Sequence, residues 1–230
     1  MPIKFLAAAD RLMTWCSSAA LPVWSSYGVD SNGRFVEQIS QQGSAEADVN
    51  RRVRVQFRQF YALTHSHILG LSTDLIETAE RAMTQAIADS FDADDAALER
   101  GCALLLRADG SVLDSTRDLY TQAFYLLALA WRFRLSQDTK WLEAADREIA
   151  FLEQQMGSPE GGYIESIPPR LPRRQNPHMH LFEAFLALHE ASDEARYLKL
   201  ADKIFDLFEA HFFGEESDCI IEYEPGHMME

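Results

Sequence analysis

Two stretches of this chain can be laid over one another without a gap. TKWLEAADREIAFL and ARYLKLADKIFDLF pair Trp141 with Tyr197, Leu142 with Leu198, Ala145 with Ala201, Asp146 with Asp202 and Ile149 with Phe205, at a constant offset of 56 residues. TDLIETAERAMTQA fits as a looser third copy through Leu75, Ile76, Ala79, Glu80 and Met83. Each copy carries one apolar stripe at helical spacing and a charged opposite face, the pattern of a helix that covers a core from outside. A repeat of this length holds a pair of helices, so the copies are alternate members of stacked hairpins, as in solenoids and closed α/α toroids.

Helical periodicity predicts helices at about 3–18, 47–70, 73–89, 116–135, 138–156, 177–191 and 194–210. Gly- and Pro-bearing loops separate them, with room for short strands or hairpins, for example around 35–39 and 219–223. No segment shows the alternating strands that a sheet domain needs. The partners of the repeating helices, LYTQAFYLLALAW and PHMHLFEAFLAL, are apolar nearly all round and belong to an inner layer. A polar group on such a helix must be paired or used, because burying it alone is costly.

Composition narrows the function. A chain of 230 residues is long enough for one large domain or two small ones, and with 47% hydrophobic and 25% charged residues it can bury a sizeable core. A formal charge of −15 repels polyanions and argues against a nucleic-acid partner. Cys16, Cys102 and Cys219 form no CxxC pair and no disulfide framework, which suits a reducing cytoplasm. No apolar run is long enough for a membrane span, and the first helix, interrupted by Asp10 and Arg11, reads as amphipathic rather than as a signal peptide.

Three segments gather polar residues. In NRRVRVQFRQFYALTHSHIL, Arg51, Arg54, Arg58, Tyr61 and His65 share a face, with Val53, Phe57, Phe60 and Ile68 on the packing side. Arg51 and Arg54 read as a surface stripe; Arg58, mid-helix among bulky apolar neighbours, either orients sugar or enediolate oxygens or sits in a buried ion pair. Ser115 or Thr116 is the expected N-cap of the helix that holds LYTQAF, with Asp118 in its first turn and Tyr120 and Gln122 within reach of an interior cavity.

In RRQNPHMHLFEAF, Asn176 is the expected N-cap with Pro177 at the first helical position. Asn176, His180 and Glu183 then share one face, while His178 points elsewhere. Two His at i and i+2 on a helix cannot grip one metal ion, and the HExxH spacing is absent. Arg170, Arg173 and Arg174 either line a pocket mouth or are solvated loop charges. In IIEYEPGHMME, His227 and Glu230 stand at i and i+3 on the first turn of a further inner helix: a His held by a carboxylate for acid–base chemistry, or a capping Glu beside an incidental His. Both clusters would sit at the same rim of a toroid.

VQFRQFYAL, DLYTQAFYLLALA, GGYIES…RRQNPHMHLFEAFLAL and YEPGHMME resemble, in that order, the motifs of the N-acylglucosamine 2-epimerase superfamily, from about residue 50 onward. The QNPHMHLFEA version is closer to its mannose-isomerase branch. The resemblance implies an (α/α)6 barrel that interconverts an aldose and a ketose of the mannose/fructose type through a cis-enediol, without metal, nicotinamide or flavin. It implies His227 as the proton-moving residue steadied by Glu230, Asn176 and His180 in sugar binding and ring opening, Glu183 beside them, and Arg58 on substrate oxygens. The partner it implies is a small sugar, with neither nucleic acid nor membrane. N-acylglucosamine or another sugar 2-epimerisation is the alternative chemistry. A non-catalytic helical-repeat scaffold is the alternative class, and a glycosidase lacks a convincing carboxylate pair. Since the family continues beyond the PGHMME helix, residues 1–230 are expected to form the amino-terminal part of one barrel domain. Little turnover of mannose or fructose is predicted for this chain alone, together with self-association through exposed apolar faces.

Overall fold

The computed structural model describes residues 3–46, 48–72, 74–91, 101–214 and 219–223. α1 (Ile3–Trp15) passes through a π-helical turn (Cys16–Ala20) into α2 (Leu21–Tyr27). β1 (Arg51–Arg52) leads into α3 (Val53–Ile68), and α4 (Ile76–Ser90) follows. β2 (Leu105–Leu106), β3 (Val112–Asp114) and β4 (Arg117–Asp118) precede the hairpin of α5 (Leu119–Ser136) and α6 (Lys140–Phe151). β5 (Ser166–Ile167) precedes the hairpin of α7 (Gln175–Ser192) and α8 (Ala195–Leu207), and β6 (Phe213–Gly214) pairs with β7 (Cys219–Ile220). α6 and α8 each run on through a π-helical turn, Leu152–Met156 and Phe208–Phe212, which carries them to the ends that periodicity predicts.

α3, α5 and α7 pack side by side as an inner layer, with α4, α6 and α8 behind them. α5 is the centre because it is apolar on every side, and Leu119, Ala123, Leu126, Ala128 and Leu129 are all fully buried. The outer helices bury only their stripes. Their repeat is structural as well: Tyr197 of α8 is buried and its hydroxyl donates to Asp146 Oδ1 of α6 at 3.0 Å. α1 stands apart, with Trp15 58% exposed and Phe5, Leu6 and Leu12 similarly so.

The short strands sort the helix ends. β1 pairs antiparallel with β2, and β2 with β3; β4 pairs with β5, and Arg174 bridges Tyr223. Each inner helix therefore starts directly after a strand or bridge residue, and the starts of α3, α5 and α7 are drawn to one rim.

This strand layer corrects four expectations. Arg51 is not on the surface: it belongs to β1, is 2% exposed, donates to Asp30 Oδ2 at 2.7 Å and reaches the Ala108 carbonyl. Asn176 is not an N-cap, because α7 begins at Gln175 with extended Arg174 before it. Asp118, rather than Ser115 or Thr116, caps α5 by accepting from the Thr121 N–H at 2.8 Å. Gln122 does not reach a cavity; it closes on the Cys102 backbone, accepting from its N–H at 2.7 Å and donating to its carbonyl at 3.0 Å. At the other end of α3, Ile68 is 46% exposed rather than packed.

Candidate functional site

A pocket of about 300 Å³ opens at this rim. Each inner helix gives it the residue before its first turn and the second residue of that turn: Arg52 and Arg54 from α3, Asp118 and Tyr120 from α5, Arg174 and Asn176 from α7. Arg58, one turn into α3, and Glu222 complete the lining. Most of the charges are held from behind. Arg52 Nε donates to Glu37 Oε1 at 2.5 Å, and Arg174 Nε to Glu165 Oε1 at 2.6 Å. Burial pushes the Glu165 carboxyl up, against the pull of Arg174. Asp118 is engaged as the cap of α5, and Glu222 accepts from the Gln175 side chain at 3.0 Å.

Below the rim the wall is aromatic and cationic. The Arg54 guanidinium lies over the Tyr120 ring at 5.2 Å and that of Arg58 over Phe124 at 5.0 Å. The His180 ring meets Tyr120 edge-on at 5.0 Å and Phe124 at 4.6 Å, and its Nδ1 lies 3.0 Å from Glu183 Oε2. Deeper still, Tyr61 and His65 of α3 flank Trp131 of α5 at 5.0 and 4.5 Å. Burial pushes the Tyr61 hydroxyl up, and the charge of Glu183 adds to it. Asn176 Oδ1 has no hydrogen-bond partner among the described residues.

Arg58, Asn176, His180 and Glu183, singled out in the sequence, thus lie along one wall. His227 and Glu230 lie outside the described residues. His178 faces away, as its spacing predicts: Nδ1–H donates to the Arg174 carbonyl at 2.9 Å and Nε2 accepts the Tyr163 N–H at 3.2 Å. The loop that delivers Tyr163 turns at Gly162, where φ is +61° and a Cβ would stand 2.4 Å from Leu207. Arg173 is buried and donates to the Gly161 carbonyl, so of the three loop arginines Arg174 lines the pocket. Sequence reasoning placed Tyr120 within reach of a cavity, where it lies, but read Arg54 as surface and missed Phe124 and Trp131; the helical spacing of these two from Tyr120 was the available signal. Among the described residues no three His, Cys, Asp or Glu stand where they could hold a metal ion, and no helix is long and apolar enough to cross a membrane.

An inner layer of helices backed by an outer one, with the inner starts converging on a polar pocket, defines an α/α barrel protein with a pocket at one rim. The chain belongs to the N-acylglucosamine 2-epimerase family, whose model matches residues 33–229. It is 35% identical to a mannose-6-phosphate isomerase of Rhizobium meliloti (strain 1021), over 96% of this chain and 61% of that protein. Among solved structures it is similar to a D-mannose isomerase (TM-score 0.81, 16% identity, 96% of this chain and 58% of that one). It is similar also to the cellobiose 2-epimerase of Spirochaeta thermophila (TM-score 0.80, 21% identity, 92% of this chain and 56% of that one). The likeness to the solved structures establishes the fold, and the chain spans about three-fifths of the length of these relatives.

Proposed function

We propose that this chain is the amino-terminal arc of a single-domain sugar isomerase that interconverts an aldose and a ketose of the mannose/fructose type. The observation that carries this is the His180–Glu183 pair facing the same lumen as Arg58 and the unpartnered Asn176 oxygen. Glu183 accepting from Nδ1–H leaves His180 Nε2 as the ring nitrogen free to take the proton of an anomeric hydroxyl and open the sugar ring. Asn176 holds a neighbouring hydroxyl. Arg58, its guanidinium face on Phe124, presents N–H edges to the oxygen on which enediolate charge develops. In this reading His227, steadied by Glu230, removes the C2 proton and returns it at C1. The name of the Rhizobium relative supports the aldose–ketose outcome.

The family's own description favours a second reading, 2-epimerisation, in which the proton returns to the other face of C2. One experiment separates the two. Mannose is incubated with the protein in D2O and followed by NMR, which registers even slow turnover. Fructose with solvent deuterium at C1 is the expected product, and glucose deuterated at C2 would favour the epimerase. A His180→Ala variant as fast as the parent would overturn the proposed chemistry.

A further inference from the structure

The arginines that precede α3 and α7 are held in the same way. The Arg52 N–H donates to Glu37 Oε2 at 2.9 Å and its Nε to Oε1 at 2.5 Å. The Arg174 N–H donates to Glu165 Oε2 at 3.1 Å and its Nε to Oε1 at 2.6 Å. One carboxylate thus spans the backbone and the side chain of an extended residue, and the helix begins at the next one. The two glutamates come from different loops, 15 and 9 residues before the arginines they hold. α5 needs no such carboxylate, because Asp118 at the equivalent place caps its own helix.

From these three starts the site is reached by equal steps. The second residue of each helix, Arg54, Tyr120 or Asn176, lines the pocket; the sixth is Arg58, Phe124 or His180. The three sixth residues meet at one ring. The Arg58 guanidinium lies over Phe124 at 5.0 Å, and the His180 ring is 4.6 Å from it. Ion-pair stability does not account for the clamps. Both carboxylates are buried while their arginines are half exposed, which costs the acids their hydration for pairs worth little near the surface. What a clamp on both donors supplies is geometry. Fixing where a helix starts fixes the direction in which its second and sixth side chains point.

We propose that Glu37 and Glu165 are positioning residues for the sugar site, Glu37 acting through Arg52 on Arg58 and Glu165 through Arg174 on His180. Each carboxylate sets the rotation of one inner helix against α5, so that both side chains face one substrate across Phe124. The identity of that substrate rests on the isomerase reading, but the positioning can be read without it. Replacing the Glu165 side chain leaves its carbonyl on the Leu119 N–H at 3.0 Å, so the change falls on α7 rather than on α5.

The test joins mannose calorimetry to proton NMR of the His180 ring in the parent, Glu37→Ala, Glu165→Ala and Glu165→Gln. The His180 lines are those that vanish in His180→Ala, and the rings of Tyr120 and Phe124 beside them shift them from their free values. In Glu165→Ala these lines are expected to move toward the free values, and mannose affinity to fall at least about tenfold. Glu165→Gln, which keeps an acceptor for the Arg174 N–H, restores most of both. Glu37→Ala weakens mannose binding but leaves the His180 lines in place, because its helix is α3. Adding Glu165→Ala to His180→Ala costs no further affinity. His180 lines unmoved in Glu165→Ala, or moved equally in Glu37→Ala, overturn the positioning and leave the sugar reading standing. Lines that move as expected in a protein that binds no mannose keep the positioning and sink the isomerase reading. Should Glu165→Ala not fold, Glu165→Asp, one methylene too short to span both donors, is read in its place.

Discussion

The inner helices have two sides that treat polar groups in opposite ways. On the packed side many polar groups bond the protein, although Arg51 Nε, Thr64 Oγ1, Arg132 Nη1 and Glu148 Oε1 have no partner among the described residues. Gln122 closes on Cys102, and His178 is fixed between Arg174 and Tyr163. Arg132 bonds Glu80 and Thr84, each at 2.9 Å, while lying over Trp141 at 3.8 Å. On the lumen side Arg54 and Arg58 rest on aromatic faces, His180 has only Glu183 on Nδ1, and the Asn176 oxygen has no partner among the described residues. Buried polar groups are almost always paired, so the packed side reads as architecture. The lumen side leaves donors and acceptors open, as the proposed sugar site requires.

That contrast is broken first at the packed side. Arg51→Ala removes one member of a buried ion pair and leaves Asp30 uncompensated, so urea unfolding should show a loss of about 3–5 kcal/mol. Gln122→Leu strands the N–H and carbonyl of Cys102, and the same measurement should show a loss of about 2–3 kcal/mol.

Glu148 sharpens the contrast, because it is a packed-side group that the protein leaves incompletely paired. It is 1% exposed, its Oε1 has no partner among the described residues, and burial pushes its carboxyl from the usual 4.5 up to about 8 despite the nearby Arg117. The folded chain therefore keeps a proton that the unfolded chain loses above about pH 4.5. This contribution is fully present below pH 4.5 and is lost as pH rises to about 8. The slope is at most about 1.4 kcal/mol per pH unit. Glu148→Gln should flatten that slope in thermal melts across this window and be the more stable protein at its upper end. The smallest effect on stability falls on the lumen side: His180→Ala should change the unfolding free energy by less than about 1 kcal/mol.

The outer helices were legible because an amphipathic stripe is a local pattern, and the repeat of Trp141 and Tyr197 made it visible twice. The face shared by Asn176, His180 and Glu183 was legible for the same reason, since helical spacing survives a shift in where the helix begins. The caps were not. Asn176 before Pro177 satisfies the local rule for an N-cap, but Arg174 is held extended by Glu165 and by its bridge to Tyr223, and that fixes the start of α7 one residue ahead of Asn176. Arg51 was misplaced for a similar reason, since its partner Asp30 and its strand partner Leu106 are distant in sequence. Tyr120 was legible beside the cap of its helix, but Phe124 and Trp131 were hidden among the aromatics of a helix apolar on every side, where only their helical spacing from Tyr120 sets them apart.

The central claim, that the lumen wall is a sugar site rather than architecture, meets its most direct test in calorimetric titration of mannose into the parent chain and the His180→Ala variant, with thermal melts of both. The account predicts saturable binding weakened at least about tenfold in the variant, and melting temperatures within about 4 °C of each other. Mannose binding unchanged in His180→Ala, or a variant destabilised as much as Gln122→Leu, would contradict it.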